Sequence, residues 1–145
     1  MSWLNDVESL LVAAGVGTPG LNIFTSTAAK VPTGAGPYLS MIEYPGDRPV
    51  RTHDTAPGAP NEIENFEGDA YHEPAAQILT RADTYRKAKE MAVKAYRALN
   101  RIRNQEINGV WYSEIRALQI PSDFGRDDTN RPQVVFNVRG FKRPS

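Results

Sequence analysis

Two histidines, each followed by a carboxylate, are the first residues whose types could do chemistry: His53 with Asp54, and His72 with Glu73. An imidazole beside a carboxylate can serve as a general base or as half of a metal site. Their spacing of nineteen fits no zinc pattern. Both sit in polar sequence, where solvated loop histidines are the simpler reading. A second candidate is the pair Asp127 and Asp128, framed by Arg126 and Arg131 in the run FGRDDTNR. Two carboxylates can divide acid and base roles when their surroundings separate their pKa values. Adjacent residues on an extended chain point to opposite sides, however. A turn in which one aspartate accepts from nearby backbone amides and pairs with Arg126 or Arg131 accounts better for this run. Together, His53, His72, Asp127 and Asp128 define the enzymatic alternative, a small metal-dependent hydrolase. The absence of cysteine excludes a disulfide framework, a thiolate metal site and a cysteine nucleophile. The loops GTPG near residue 17 and PTGAGP near residue 32 lack both the GxGxxG spacing and a Walker lysine followed by Ser or Thr. No catalytic residue, metal or cofactor is expected.

The elements that would position these residues can be read from periodicity. Trp3, Leu4, Val7, Leu10, Leu11 and Ala14 recur at spacings of three and four, which predicts an N-terminal helix with Ser2 as its cap and Gly15 and Gly17 at its end. Leu21 to Thr27 and Tyr38 to Tyr44 read as strands joined by a loop, most simply a hairpin. Residues 45 to 74, with PGDRP, TAPGAP and an acidic cluster, show no clear period and read as a long irregular loop. A short strand at Ile63 to Phe66 would fit inside it. Ala75 to Thr80 is a short strand, followed by the strongest helix, about Asp83 to Arg103, with Asp83 as its cap. Its stripe is Tyr85, Ala88, Ala92, Ala95, Leu99 and Ile102, and the alanines would let its backbone approach a sheet closely. After Asn108 and Gly109, strands are expected at Val110 to Ile120 and Gln133 to Phe141, with a polar, turn-rich connection between them. The sum is one α+β domain over residues 1–145. Its mainly antiparallel sheet has four to five strands, with two helices packed on one face.

The 145 residues carry seventeen basic and seventeen acidic side chains, a net charge of zero. That balance argues against a general nucleic-acid or membrane-surface binder. No apolar run approaches the roughly 20 residues of a membrane span, and no basic segment precedes the first apolar residues, so neither a membrane partner nor a secretory signal is expected. The zero hides an asymmetry. Residues 61–74 are net -5, through Glu62, Glu64, Glu67, Asp69 and Glu73, whereas residues 81–103 are net +6. Complementary self-association or docking explains such a dipolar chain better than solubility does. The basic helix 81–103, with Tyr85 and Tyr96 as stacking groups, would otherwise serve an RNA-binding module. Core packing is the simpler use of those tyrosines.

Taken together, an amphipathic N-terminal helix, a hairpin, a short strand entering TRADTYRKAKEMAVKAYRAL, and a strand ending in ALQIPSDFGRDDTNRPQVVFNVRGF resemble the tail terminator and minor capsid proteins of long-tailed bacteriophages. The most telling positions are Arg81 and Asp83 at the strand-to-helix junction and Ala92, Ala95, Tyr96 and Leu99 on the helix. To these are added Gly125, Arg126, Asp127, Asn130, Arg131 and Pro132 in the turn before a final strand with Val135, Phe136 and Val138. The resemblance implies a structural, non-enzymatic virion protein of the phage neck. Its protomers would close into a ring, a hexamer, that caps the tail tube, stops tube polymerisation and joins the tail to the head. The implied partners are other copies of the chain, the tail tube protein, a head-side connector or stopper protein, and genome DNA passing non-specifically through the lumen. The implied locations are the virion and, during assembly, the host cytoplasm. The expected interface residues are Arg86, Lys87, Lys94 and Arg97 on the helix, Glu62, Glu64, Glu67 and Asp69 in the acidic run, and Arg126, Asp127 and Arg131 in the turn.

Overall fold

The computed structural model describes residues 3–25, 34–51, 70–127 and 130–142. In chain order these form α1 (Trp3–Ala13), β1 (Ile23–Phe24), β2 (Tyr38–Arg51), β3 (Ala70–Arg81), α2 (Tyr85–Leu99), β4 (Ile102–Ile107), β5 (Val110–Ala117), β6 (Ser122–Arg126) and β7 (Pro132–Lys142). The expected cap Ser2, the segment 63–66, His53, Asp128 and the acids Glu62, Glu64, Glu67 and Asp69 lie outside the described residues.

The sheet is larger than expected and mixed: seven strands in the order β1-β2-β3-β7-β5-β4, with β6 also paired to β7. β5 takes the C-terminal half of one edge of β7, from Val138 to Lys142, and β6 takes the N-terminal half, from Pro132 to Val135. Alternation sorts the side chains. Leu39, Met41, Ala76, Ile78, Phe136, Val138, Tyr112 and Ile115 point to one face, where they pack with Trp3, Val7 and Leu11 of α1 and Met91, Ala95 and Leu99 of α2. Both helices thus cover the same face. The opposite face carries Gln77 across from Asn137, Arg81 across from Gln133 and Arg139 across from Ala75.

Several expectations are corrected. β1 and β2 are parallel, with Ile23 opposite Leu39, so they do not form a hairpin. The thirteen residues 25–37 are long enough to carry the chain back to the same end of the sheet, as a parallel pair requires. The loop expected at 45–74 is shorter, because 45–51 continue β2 and 70–74 belong to β3. The prolines at 45 and 49 are accommodated where the register shifts, between Tyr44 and Asp47 and between Asp47 and Val50, as bulges on an outer strand allow. The long helix is capped by Thr84, whose Oγ1 accepts from the Lys87 amide at 3.3 Å, not by Asp83. It stops at Leu99, because Asn100 turns to extended geometry and Arg101 is left-handed at φ 63°. Ile102 therefore begins a strand; its place in the helical stripe is a coincidence of spacing. Tyr85 is largely exposed, and Met91 takes a buried place instead.

Three local devices hold the helices to the sheet. Thr80, fully buried on β3, donates its hydroxyl to the Ala88 carbonyl of α2 at 2.8 Å. Ala88 and Ala92 pack there against Ala82 and Val134, the close approach that the alanine stripe predicts. Trp3 of α1 lies on Gly140 of β7, where an added Cβ would come within 2.8 Å of the indole. Asp6, wholly buried on α1, accepts from the Tyr112 hydroxyl in a short hydrogen bond and from Asn108 Nδ2 at 2.9 Å. Burial, and then Asp6, push the Tyr112 phenol well above the usual tyrosine range.

Candidate functional site

At the end of the sheet where β3 passes into α2, the two motifs that carried the resemblance meet. Asp127 closes the turn before β7: its amide donates to the Arg131 carbonyl at 3.0 Å, and its Oδ1 accepts from the Arg131 amide at 2.8 Å. Asn130, between them, takes the left-handed conformation at φ 64°, which an asparagine tolerates. Asp127 Oδ2 pairs with Arg81 Nη1 and Arg131 Nη2, both at 3.3 Å. The three side chains are only 13–17% exposed. Arg131 Nη1 also donates to the Gly34 carbonyl at 3.0 Å, and the Asp83 amide donates to the Ala35 carbonyl at 2.8 Å. Gly36 completes the approach: it sits at φ 79°, and a Cβ there would meet the Arg81 carbonyl at 2.9 Å. Burial, and then the neighbouring Arg131, lower the Arg81 pKa, and the Asp127 carboxylate opposes that shift.

This knot ties four segments together: the loop at 34–36, the end of β3, the start of α2 and the FGRD turn. Its chemistry is structural. Asp127 and Arg131, two of the expected interface residues, are engaged inside the protomer, while Arg126 is exposed and donates to the Asn130 carbonyl at 2.8 Å. Of the hydrolase grouping, His53 and Asp128 lie outside the described residues, and His72 and Asp127 are not brought together. His72 is opposite Lys142 at one end of β7, whereas Arg126, next to Asp127, is opposite Pro132 at the other. Among the described residues, no three of His, Cys, Asp and Glu gather into a group that could hold a metal. Among them, too, no helix is long and apolar enough to cross a membrane.

The other expected residues lie along the outer face of α2. Arg86 pairs with Glu90 at 3.1 Å, and Lys87 with Asp83 at 3.2 Å, both four residues apart and well exposed. Lys94 and Arg97 are exposed and make no ion pair among the described residues. Lys89 is turned away from this face and donates to the Pro121 carbonyl, just before β6, at 2.8 Å. Between α2 and the turn after α1 runs a groove of about 240 Å³ lined by Val16, Asn22, Pro37, Lys87, Glu90, Met91 and Lys94.

One surface was missed in sequence. β6 is exposed at every residue and pairs only with β7, which leaves its outer edge open among the described residues. Around it stand three large apolar side chains in water: Leu118 at 40% exposure, Ile120 at 69% and Phe124 at 53%. Leu118 and Ile120 fell in the expected strand Val110 to Ile120, but β5 ends at Ala117; Phe124 alone fell in the polar, turn-rich run, and a lone surface apolar residue is too common to mark a strand.

The fold defines a class before any family does. A chain of the virion of a native gene transfer agent particle shares it with a TM-score of 0.65 at 16% identity, covering 97% of this chain and 94% of that one. A second solved chain shares it with a TM-score of 0.53 at 15% identity, with 94% and 95% covered. No curated protein is significantly similar in sequence. The family model for bacteriophage tail terminator proteins matches residues 10–139. The chain belongs to that family, which is structural and non-enzymatic, and has a structural role in a phage tail.

Proposed function

We propose that the chain, acting as one unit over residues 1–145, closes with identical copies into a ring, a hexamer, that caps the tail tube. The ring stops tube polymerisation and presents its other side to a head-side connector or stopper protein. It forms in the host cytoplasm and remains in the neck of the virion, with genome DNA passing through its lumen. The observation that carries this reading is the edge of β6, open among the described residues, with Leu118, Ile120 and Phe124 exposed around it. An unpaired edge bearing apolar side chains is a liability that a neighbouring subunit relieves. The contact is taken as heterologous, the kind that closes into rings when the rotation per subunit fits. The virion setting of the structural neighbour is in keeping with such an assembly.

The decisive test images purified protein alone and mixed with tail tubes, alongside Ile120→Asp combined with Phe124→Asp. Both sites are exposed, so the variant should fold normally. Rings and capped tubes of uniform length are expected for the natural chain, with overlong or uncapped tubes for the variant. Uniform capped tubes with the variant would remove the β6 edge from the interface.

A further inference from the structure

The groove beside α2 has a composition that selects its occupant. Its floor is apolar, formed by Val16, Pro37 and Met91, and its rim carries Lys87 and Lys94. Glu90 also faces it but is paired with Arg86, as Lys87 is with Asp83, and Lys94 is the rim charge that makes no ion pair among the described residues. A second depression, lined by Thr84, Arg86, Lys87 and Glu90, continues it along the first turns of α2. An extended segment with apolar side chains set between carboxylates would satisfy floor and rim together.

The chain contains such a segment. Glu62-Ile63-Glu64-Asn65-Phe66-Glu67 sets two apolar residues among three acids, with no basic residue from 61 to 74. We infer that this acidic segment of a second copy docks in the groove formed by Val16, Pro37, Met91, Lys87 and Lys94.

Distance favours a second copy over the same one. The segment leaves the sheet between Arg51 and Ala70, which are paired at the far end of β2 and β3. The groove lies at the near end, by Pro37 and the first turns of α2. The thirteen steps from Tyr38 to Arg51 span about 40 Å at the usual strand rise, and Lys94 is about 10 Å along α2 from Lys87. The groove is therefore roughly 30 to 40 Å from Arg51 and Ala70. Glu64 can extend only about 20 Å from Ala70, and Phe66 about 13 Å. Docking between copies, repeated head to tail, gives the arrangement that the ring reading requires, and the inference rests on that reading.

The test is reciprocal charge reversal in the full chain, read as assembly mass by native mass spectrometry and light scattering. One variant combines Lys87→Glu with Lys94→Glu; the other combines Glu64→Lys with Glu67→Lys. Each alone should assemble at least about tenfold more weakly, since each puts like charge on like. Mixed one to one, the variants should recover assembly as alternating oligomers, because every segment then meets a groove of opposite sign. Circular dichroism and unfolding curves matching the natural chain confirm that the variants are folded. If the natural chain assembles and either variant assembles equally well, or the mixture recovers nothing, this docking is wrong while the ring reading stands. If the natural chain stays monomeric at every concentration, alone and with tail tubes, both fail.

Discussion

Replacing Asp127 by Asn tests whether the knot at the end of β3 is what holds the FGRD turn and the β6 edge in place. The side chain keeps its size and its Oδ1 acceptor for the Arg131 amide, but the charge between Arg81 and Arg131 is gone. Two guanidinium groups, 17% and 13% exposed, then face each other without the carboxylate that both approach at 3.3 Å. Removing one partner from a buried pair costs about 3 to 5 kcal/mol, and the residual exposure here places the loss near 3. For a chain of this length, that is a fall in Tm of roughly 10 °C. Urea unfolding should show the lower midpoint with an unchanged slope. Arg86→Ala is the control: its pair with Glu90 is exposed at 88% and 62%, and such pairs contribute about 0.5 kcal/mol or less. Adding Arg131→Gln to Asp127→Asn should cost less than the two separate losses combined, with coupling of about 1 kcal/mol or more, because the second change relieves repulsion created by the first. A loss below 1 kcal/mol for Asp127→Asn, or strict additivity, would refute the argument that these charges act as a unit.

The remaining expectations are more local. Leu99 is fully buried under the sheet, so Leu99→Ala should lower stability by about 2 to 5 kcal/mol in denaturant titration; a loss within about 0.5 kcal/mol would place it at the surface. Gly140→Ala puts a methyl group against the Trp3 indole and should cost about 1 to 3 kcal/mol through overpacking, seen as a lower Tm. Tyr112 has a raised folded pKa; its stabilising contribution is complete below the ordinary tyrosine value of about 10 and is lost as pH rises beyond it. Tyr112→Phe should therefore be less stable at neutral pH yet lose less stability between pH 9 and 11, in alkaline unfolding followed by circular dichroism. Assembly should weaken with salt without vanishing at 1 M, where the Debye length is about 3 Å, because apolar burial persists; complete dissociation in sedimentation velocity would make the contact purely electrostatic.

What was legible in sequence were elements whose burial repeats with their own period. Val7 and Leu11 on α1, Ala88, Ala92, Ala95 and Leu99 on α2, and Val134, Phe136 and Val138 on β7 all fall where their spacing put them. β6 and β4 were not legible, because Ser122 to Arg126 is exposed throughout and Arg103 to Glu106 likewise. A strand held by backbone pairing alone leaves no alternating pattern. The extensions of β2 and β3 were hidden by prolines whose meaning depends on neighbours: Pro45 and Pro49 read as breakers, yet they fall at bulges beside β3. In the candidate site, the pairing of Asp127 with Arg131 was readable as a local turn. That Arg81, forty-six residues earlier, would complete it was not, because nothing local encodes which strand end faces which turn.

The placement of charge constrains the symmetry of any self-assembly. β6 pairs with the N-terminal half of β7, so the edge ringed by Leu118, Ile120 and Phe124 stands at the same end as the knot and the start of α2. The acidic run enters and leaves the sheet at the opposite end, between Arg51 and Ala70. A two-fold dimer that set the basic face of α2 against its own copy would put like charge on like, which costs free energy and steers encounters away. Joining the near end of one copy to the far end of the next pairs unlike charges and still leaves one free surface of each kind at the ends of any open chain. Closure, as an antiparallel pair or as a larger ring, pairs those last two surfaces. In the proposed ring, each near-to-far contact would set unlike charge against unlike, and the number of subunits would follow from the rotation at each contact.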